Sequence, residues 1–173
     1  MSPAPVSPSV LADGRNNSDL CRRPVSGLVS DAIDTTRAEA GEKSIRFVTD
    51  VPRGLEVDVH PELFPWALSR LVQHAVAASP SGGAVHVTAV DIGGAVDVEI
   101  ADNGPGLPGG PKASLADLTV VYDDGSGASL AWIDHIAQRH GGRSFVMNCP
   151  DGGAAYTLRI AKPSTAGGWA RAA

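Results

Sequence analysis

The chain has 173 residues, of which 43% are apolar and 5% aromatic, and its formal net charge is −5. This length suits one domain with tails, because domains usually hold roughly 100 to 150 residues around one core. The acidic balance and the lack of a lysine or arginine run argue against a protein that binds nucleic acid. No apolar run approaches the roughly 18 residues of a membrane span, and the N-terminus lacks a signal-peptide pattern, so we expect a soluble cytoplasmic protein without a membrane partner.

The two ends of the chain have the composition of tails. Residues 1–19 are rich in Pro, Ser and Asn and show no apolar periodicity, and the last eleven residues are similar. We therefore predict a disordered tail over 1–19, a single domain over 20–162 and a flexible tail over 163–173.

Two helices are predicted in the first half of the domain. Apolar residues at helical spacing indicate a helix over about 25–40 that stops at Gly41, and a short strand should follow it. A second helix is predicted from Pro61, which suits a first helical turn, to Ala78. Its apolar stripe consists of Phe64, Leu68, Leu71 and Ala75.

The second half of the domain alternates between hairpins and helix. Strands are predicted over about 84–90 and 95–102, and the glycine-rich stretch 103–126 is predicted as a long loop. A helix that ends at Gly141 and a final hairpin of about 143–149 with 154–162 complete the order. This order predicts an α+β fold, a two-layer sandwich of helices on one face of a mixed, mostly antiparallel sheet.

Asp102, at the end of the second predicted strand, is the first candidate functional residue. The alternation that buries the apolar residues of this strand also turns Asp102 toward the core. A buried carboxylate requires donors, either from the protein or from a ligand such as the amino group of adenine. The alternative is that Asp102-Asn103-Gly104 forms a turn in which the carboxylate accepts from backbone amides.

Three motifs occur in the order of a known ATPase superfamily. The sequence Asp102 to Leu107 resembles the G1 box of the histidine-kinase and GHKL ATPases, and the helix ending at Gln73 to Pro80 lies where their N box belongs. The stretch Gly125 to Ala131 resembles a degenerate G2 box. This resemblance covers about residues 25–162 and implies the Bergerat fold, with ATP or ADP held between the N-box helix and a lid over about 103–126.

The resemblance also implies roles for individual residues on the base and phosphate sides. Asp102 would bind the adenine amino group, and Gly104 and Gly106 would let the lid backbone approach the nucleotide. The G2 positions would offer backbone amides to phosphate at a helix N-terminus; they are Gly125, Gly127 and Ser129. Alternatively, this segment is only a loop and a helix cap.

The N box departs from the family pattern at three positions on one helical face. The family's Mg²⁺-binding asparagine is replaced by His74, the asparagine or catalytic glutamate four residues earlier by Arg70, and a frequent lysine by Ala77. Mg²⁺ prefers hard oxygen ligands, and Arg70 cannot act as a general base, although it can pair with phosphate. We therefore expect both side chains in the nucleotide site, with His74 as the candidate metal ligand and Mg²⁺ disfavoured. The alternative makes them solvated or paired residues of a site without nucleotide.

Three functional hypotheses follow, and they leave open whether the chain is an enzyme. The first is a domain that binds ATP or ADP and signals through a partner protein, with weak or no Mg²⁺-dependent catalysis. The second is a protein interaction module that keeps the fold and binds no nucleotide. The third is an active ATPase or a kinase that acts in trans, since none of the five histidines lies in the family's phosphoacceptor motif.

Overall fold

The computed structural model describes residues 20–107, residue 115 and residues 126–162, without the side chains of 126–129. The two predicted tails and most of the predicted lid therefore lie outside the described residues. The helices are α1 (Val25–Glu42), α2 (Leu63–Ala78) and α3 (Ser126–Arg139). The strands are β1 (Cys21–Pro24), β2 (Arg46–Asp50), β3 (Glu56–Val59), β4 (Ala84–Asp91), β5 (Ala95–Ala101), β6 (Arg143–Asn148) and β7 (Ala154–Ala161). In this part of the chain, no helix is long and apolar enough to cross a membrane.

The main sheet has five strands in the order β2-β4-β5-β7-β6. Strand β2 runs parallel to β4, and every other pair in this sheet is antiparallel. The helices pack on the sheet through an apolar core that consists mainly of Val, Ile, Leu and Ala. The predicted α+β sandwich with a mixed, mostly antiparallel sheet is therefore confirmed.

A second sheet pairs β1 with β3 and was not predicted from the sequence. The sequence of β1, Cys21-Arg22-Arg23-Pro24, has no apolar alternation, and β3 alternates over only four residues, the shortest run that indicates a strand. The pairing buries Val57 and Val59 completely, and β3 leads directly into α2. The small sheet thus fixes where the N-box helix begins.

The predicted ends of two helices need correction. Helix α1 continues through Gly41 to Glu42, and the left-handed residue after it is Ser44, with φ of 55°. The Ile45 amide bonds to the Ala40 carbonyl at 2.8 Å, and both side chains are buried, so apolar contact stabilises this later end. Helix α2 begins at Leu63 rather than Pro61; the proline in its first turn is Pro65, where no intrahelical amide donor is required.

The C-terminal end of α2 is capped by a lysine from α1's end. The Nζ of Lys43 donates to the carbonyls of Val76 and Ala77 at 2.8 Å and 2.7 Å. A cation is favourable there because the last carbonyls of a helix lack intrahelical partners and carry partial negative charge. Lys43 therefore holds the end of α2 that faces the candidate site.

His140 joins the end of α3 to the start of α2. The residue is 5% exposed, its Nε2 accepts from the His60 backbone amide at 2.9 Å, and its Nδ1 donates to the Ile136 carbonyl at 2.7 Å. Burial lowers the pKa of His140 below its ordinary 6.5, although the bond to Ile136 opposes this shift. The neutral ring, with its proton on Nδ1, is therefore the form that fits the fold.

The free energy of unfolding should decrease as the pH falls below 6.5, because the unfolded chain then takes up a proton at His140 that the folded chain resists. One such histidine changes this free energy by at most about 1.4 kcal/mol per pH unit. Denaturant unfolding between pH 5 and 8 (about the range in which a histidine titrates) should give a flatter profile for His140→Gln than for the parent. The exposed His135→Gln is the control, and equal slopes in all three proteins would contradict the assignment.

Candidate functional site

Asp102 follows β5 directly and faces the core, as its position in the strand predicts. Val96, Val98 and Ile100 are at most 1% exposed, and Asp102 is 4% exposed. The Asp102 backbone amide also bonds to the Ala154 carbonyl at 2.9 Å, which continues the β5–β7 pairing past the strand end. The carboxylate is therefore held by the sheet and not by a mobile loop.

The two oxygens of Asp102 have different surroundings. Oδ1 accepts from the backbone amides of Gly104 at 2.7 Å and Ala154 at 3.3 Å. Oδ2 is buried and has no hydrogen-bond partner among the described residues. The turn predicted as the alternative therefore exists, but it uses only one oxygen and leaves a buried acceptor that a ligand donor could satisfy.

The electrostatics of Asp102 follow from this arrangement. Burial raises the pKa of Asp102 above 3.8, while the amides of Gly104 and Ala154 and the nearby His74 act in the opposite direction. A donor placed on Oδ2 would stabilise the ionised carboxylate further. Ligand binding and ionisation of Asp102 are thus coupled.

The glycines of the G1 segment bring this loop close to other backbone. A Cβ on Gly104 would lie 2.7 Å from the Ala78 carbonyl oxygen and 2.9 Å from Asp102 Oδ1, so a side chain there would push the loop away from the end of α2. Gly106 has φ of 78°, and a Cβ on it would meet Asn148 Oδ1 at 3.0 Å. These contacts are within the protein; the roles of both glycines toward a nucleotide stay predictions.

Side chains that sequence reasoning missed fix the same loop. Asn103 Oδ1 accepts from the Ala84 amide at 2.8 Å, and Asn148 Oδ1 accepts from the Leu107 amide at 2.6 Å. The Asn103 amide donates to the hydroxyl of the buried Ser79 at 3.3 Å. The G1 segment is thereby tied to α2, β4 and β6, which explains how Asp102 keeps its orientation.

His74 turns from α2 toward the sheet. Its Nε2 lies 3.0 Å from the hydroxyl of Tyr156, and the two rings meet edge to face with centroids 5.2 Å apart. Tyr156 is 1% exposed and stands opposite Ile100 in the β5–β7 pair. The structure therefore brings His74 and Asp102 to one site and adds Tyr156, whose only sequence signal was its place in an alternating strand.

Arg70 lies one turn before His74 and is half-buried. Its Nη1 donates to Gln73 Oε1 at 2.9 Å, and the guanidinium carbon lies 5.6 Å from the centroid of the Trp66 ring. Its Nε is buried without a hydrogen-bond partner among the described residues. The alternative prediction was that Arg70 is only a solvated or paired residue of the helix face. It holds in part, since Nη1 is hydrogen-bonded and Nε has no partner among the described residues.

The donor chemistry at the N-box positions does not fit Mg²⁺. His74 presents an imidazole whose Nε2 already meets a phenol, Arg70 presents a cation, and Ala77 has no ligand atom. Across the described parts of the chain, no group of three or more His, Cys, Asp or Glu could hold a metal ion. The metal role of His74 stays a prediction that this geometry does not favour.

The G2 segment is only partly described. Gly125 lies outside the described residues, and Gly127 and Ser129 lie in the first turn of α3 without described side chains. The helix already begins at Ser126, so Gly127 and Ser129 lie within it and not in a loop before it. Their backbone amides belong to a helix N-terminus, where the amide donors lack intrahelical acceptors. Their role toward phosphate stays a prediction.

One residue within the predicted lid is anchored. Leu115 is fully buried, and its amide donates to the Ser144 hydroxyl at 3.1 Å. Ser144 in turn donates to Asp134 of α3, a residue that is 6% exposed and also accepts from Gln138 at 2.7 Å. A buried polar chain thus connects this point of the segment to α3 and β6.

Comparison with known sequences identifies the family. Residues 60–164, more than half of the chain, match the model of the histidine kinase-, DNA gyrase B-, and HSP90-like ATPases. The sensor-like histidine kinase SenX3 of Mycolicibacterium smegmatis is 28% identical over 149 residues, which cover 82% of this chain and 39% of that protein. The sensor-type histidine kinase PrrB of Mycobacterium tuberculosis is 36% identical over 107 residues, 58% of this chain and 24% of PrrB. The chain thus spans about two fifths or less of the length of these relatives.

Solved structures agree with this result. The nucleotide-free catalytic domain of the histidine kinase ThkA superposes with a TM-score of 0.72 at 21% identity and covers 83% of this chain and 95% of its own. Full-length ShkA in complex with AMPPNP gives a TM-score of 0.73 at 25% identity, over 90% of this chain and 34% of ShkA. These structures share the fold, and the match of the family model over more than half of the chain shows that the chain belongs to the histidine kinase-, DNA gyrase B-, and HSP90-like ATPase family.

Proposed function

We propose that this chain is a domain that binds ATP or ADP and signals through a partner protein in the cytoplasm, with weak or no Mg²⁺-dependent catalysis. The observation that carries the proposal is the buried Oδ2 of Asp102, which has no hydrogen-bond partner among the described residues. An unsatisfied buried acceptor costs free energy, and a ligand amino group such as that of adenine removes this cost. The other oxygen, Oδ1, accepts from the backbone amides of Gly104 and Ala154, and these bonds hold the carboxylate in place for such a ligand.

The residues around Asp102 support a pocket for a base. His74 forms an edge-to-face pair with the buried Tyr156 beside the carboxylate, and the half-buried His74 ring would offer aromatic surface to a base. The G1 backbone is held at the end of α2 by Asn103 and by the close approach at Gly104. Pockets of this kind combine apolar surface with a few fixed polar groups.

The N-box side chains support binding without efficient turnover. Hydrolysis or transfer of a phosphoryl group needs stabilisation of charge and a group that positions or deprotonates the nucleophile. Arg70 remains protonated and cannot accept a proton, and the donors near it do not suit Mg²⁺. The chain therefore recognises nucleotide and contributes little to catalysis.

Signalling through a partner rests on analogy with relatives. ThkA has been crystallised in complex with the response regulator TrrA, and that ThkA chain superposes on this one with a TM-score of 0.69 at 20% identity. This likeness concerns the fold, and fold alone does not establish a partner. A response regulator is accordingly the first class of partner to test.

Calorimetric titration of the purified chain with ADP and ATP tests the proposal. Dissociation constants between about 1 μM and 1 mM are expected, which correspond to roughly 8 to 4 kcal/mol of binding free energy. Mg²⁺ should change these values little, and phosphate release should stay at background. The absence of binding would favour an interaction module without nucleotide, and Mg²⁺-stimulated turnover would favour an active ATPase or kinase.

A further inference from the structure

We infer that Arg70 supplies the counter-charge for the nucleotide phosphates in place of Mg²⁺, so that the ligand of this site is a metal-free adenosine di- or triphosphate. The inference rests on the proposed function and specifies the chemical form of its ligand. Three features of the described residues carry it: the place of Arg70 on α2, its lack of a carboxylate partner, and the poor fit of its neighbours to a metal ion.

The geometry of α2 places Arg70 beside the region next to the base. His74 reaches Tyr156 and lies close enough to Asp102 to lower the pKa of that carboxyl group. Arg70 lies four residues earlier on the same helical face, about 6 Å along the axis. A nucleotide whose amino group meets Asp102 Oδ2 can therefore extend its phosphates along α2 toward the guanidinium.

The guanidinium of Arg70 differs from the paired arginines of the structure. Four other arginines have a carboxylate oxygen at 3.3 Å or closer; they are Arg22, Arg23, Arg37 and Arg159. Arg70 is half-buried, and the bond described for it goes to the neutral amide of Gln73. Among the described residues it has no ion pair, and its Nε is buried without a partner. A half-buried cation with an unsatisfied donor is well suited to an anionic ligand, and guanidinium pairs with phosphate through charge-assisted hydrogen bonds.

A cation already present at this position changes the effect of Mg²⁺. Mg²⁺ would compete with Arg70 for the same phosphate oxygens, and its positive charge would repel the guanidinium. Among the described residues, the other N-box positions provide no carboxylate to compensate, since they carry Ala77 and His74, which is engaged with Tyr156. Metal-free nucleotide should therefore bind at least as well as the Mg²⁺ complex.

The inference is tested by titrating adenosine, AMP, ADP and ATP in EDTA. In the parent chain, affinity should increase from adenosine to ADP. Arg70→Gln should lower ADP affinity by about tenfold to a hundredfold, the usual effect of losing a charged hydrogen bond, and leave adenosine affinity unchanged. Arg70→Lys should keep part of the increase in affinity from adenosine to ADP, because lysine retains the charge but lacks the planar guanidinium. Arg143→Gln is the control. It removes the same charge from the exposed face of β6, opposite the helices, and should leave the affinities for all four ligands unchanged.

Two results would overturn the inference while the proposed function survives. One is equal affinity of the parent for adenosine and ADP, and the other is ADP binding by Arg70→Gln at the parent's affinity. Failure of the parent to bind any of the four ligands would instead refute the proposed function. Denaturant unfolding of each variant separates a lost phosphate contact from a loss of packing against Trp66.

A gain of metal dependence provides a second test. The double variant Arg70→Asn with His74→Asn places amide oxygens at the two positions where the family carries its polar N-box residues. Mg²⁺ should raise ADP affinity in this variant by about tenfold or more and should not raise it in the parent. A tenfold increase in the parent, or no metal response in the double variant, would contradict the inference.

Discussion

Asp102→Asn should lower the affinity for ADP by about tenfold to a hundredfold, because an amide in place of the carboxylate loses a charged acceptor at Oδ2. The fold should tolerate the change, since the carboxylate is buried and its raised pKa shows that ionisation is costly there. At neutral pH we therefore expect an unfolding free energy equal to the parent's or higher. Calorimetry with ADP and denaturant unfolding measure the two effects separately.

Asp97→Asn is the matched control for this experiment. It lies on β5, the strand that leads into Asp102, faces the other side of the sheet and pairs with Arg159 at 2.7 Å. Removal of this charge should leave ADP affinity unchanged. If Asp97→Asn and Asp102→Asn reduce binding equally, general electrostatics and not contact with the base would explain the loss.

The pH dependence of binding should follow Asp102. The folded chain holds a proton on this group to higher pH than the ordinary 3.8, so its ionisation reduces the unfolding free energy as the pH rises from 3.8 to the raised pKa. A donor on Oδ2 favours the ionised form, so the affinity for ADP should increase over this window and level off above it. Asp102→Asn should lose this increase.

Gly153→Ala should reduce the unfolding free energy by roughly 2 to 5 kcal/mol and abolish ADP binding. Gly153 has φ of 87°, and a Cβ there would lie 1.9 Å from the Asp102 carbonyl oxygen, which is backbone and cannot rotate away. The start of β7 would have to separate from Asp102, whose amide bonds to Ala154. Denaturant unfolding and ADP titration at low temperature check both effects.

Gly152→Ala separates this close contact from backbone strain alone. Gly152 also has a positive φ, 97°, but the nearest atom to its Cβ would be the Gly104 carbonyl oxygen at 4.0 Å. Gly152→Ala should therefore reduce the unfolding free energy by only about 1 to 2 kcal/mol, and ADP should still bind. Equal effects of the two substitutions would show that strain and not the approach to Asp102 decides the result.

The sequence predicted the parts of this protein that local patterns control. Helical periodicity found α1, α2 and α3, alternation found both hairpins, and the parity of β5 turned Asp102 inward. The errors were local as well: Gly41 was taken as the end of α1, whereas the helix continues to Glu42 and Ser44 adopts the left-handed conformation, where the Ile45 amide bonds to the Ala40 carbonyl. Strand β1 has no apolar alternation and β3 alternates over only four residues, so both strands were missed.

The arrangement of side chains around the candidate site depended on the tertiary structure. The partners of His74 and His60 lie 82 and 80 residues away, and the Lys43 cap reaches a carbonyl 33 residues away. No local period specifies such pairs, because they arise only when helices and strands pack against each other. The sequence by itself thus determined the family motifs and the inward carboxylate. Packing decided that His74 turns to Tyr156 and that the Nε of Arg70 has no hydrogen-bond partner within the described part of the chain.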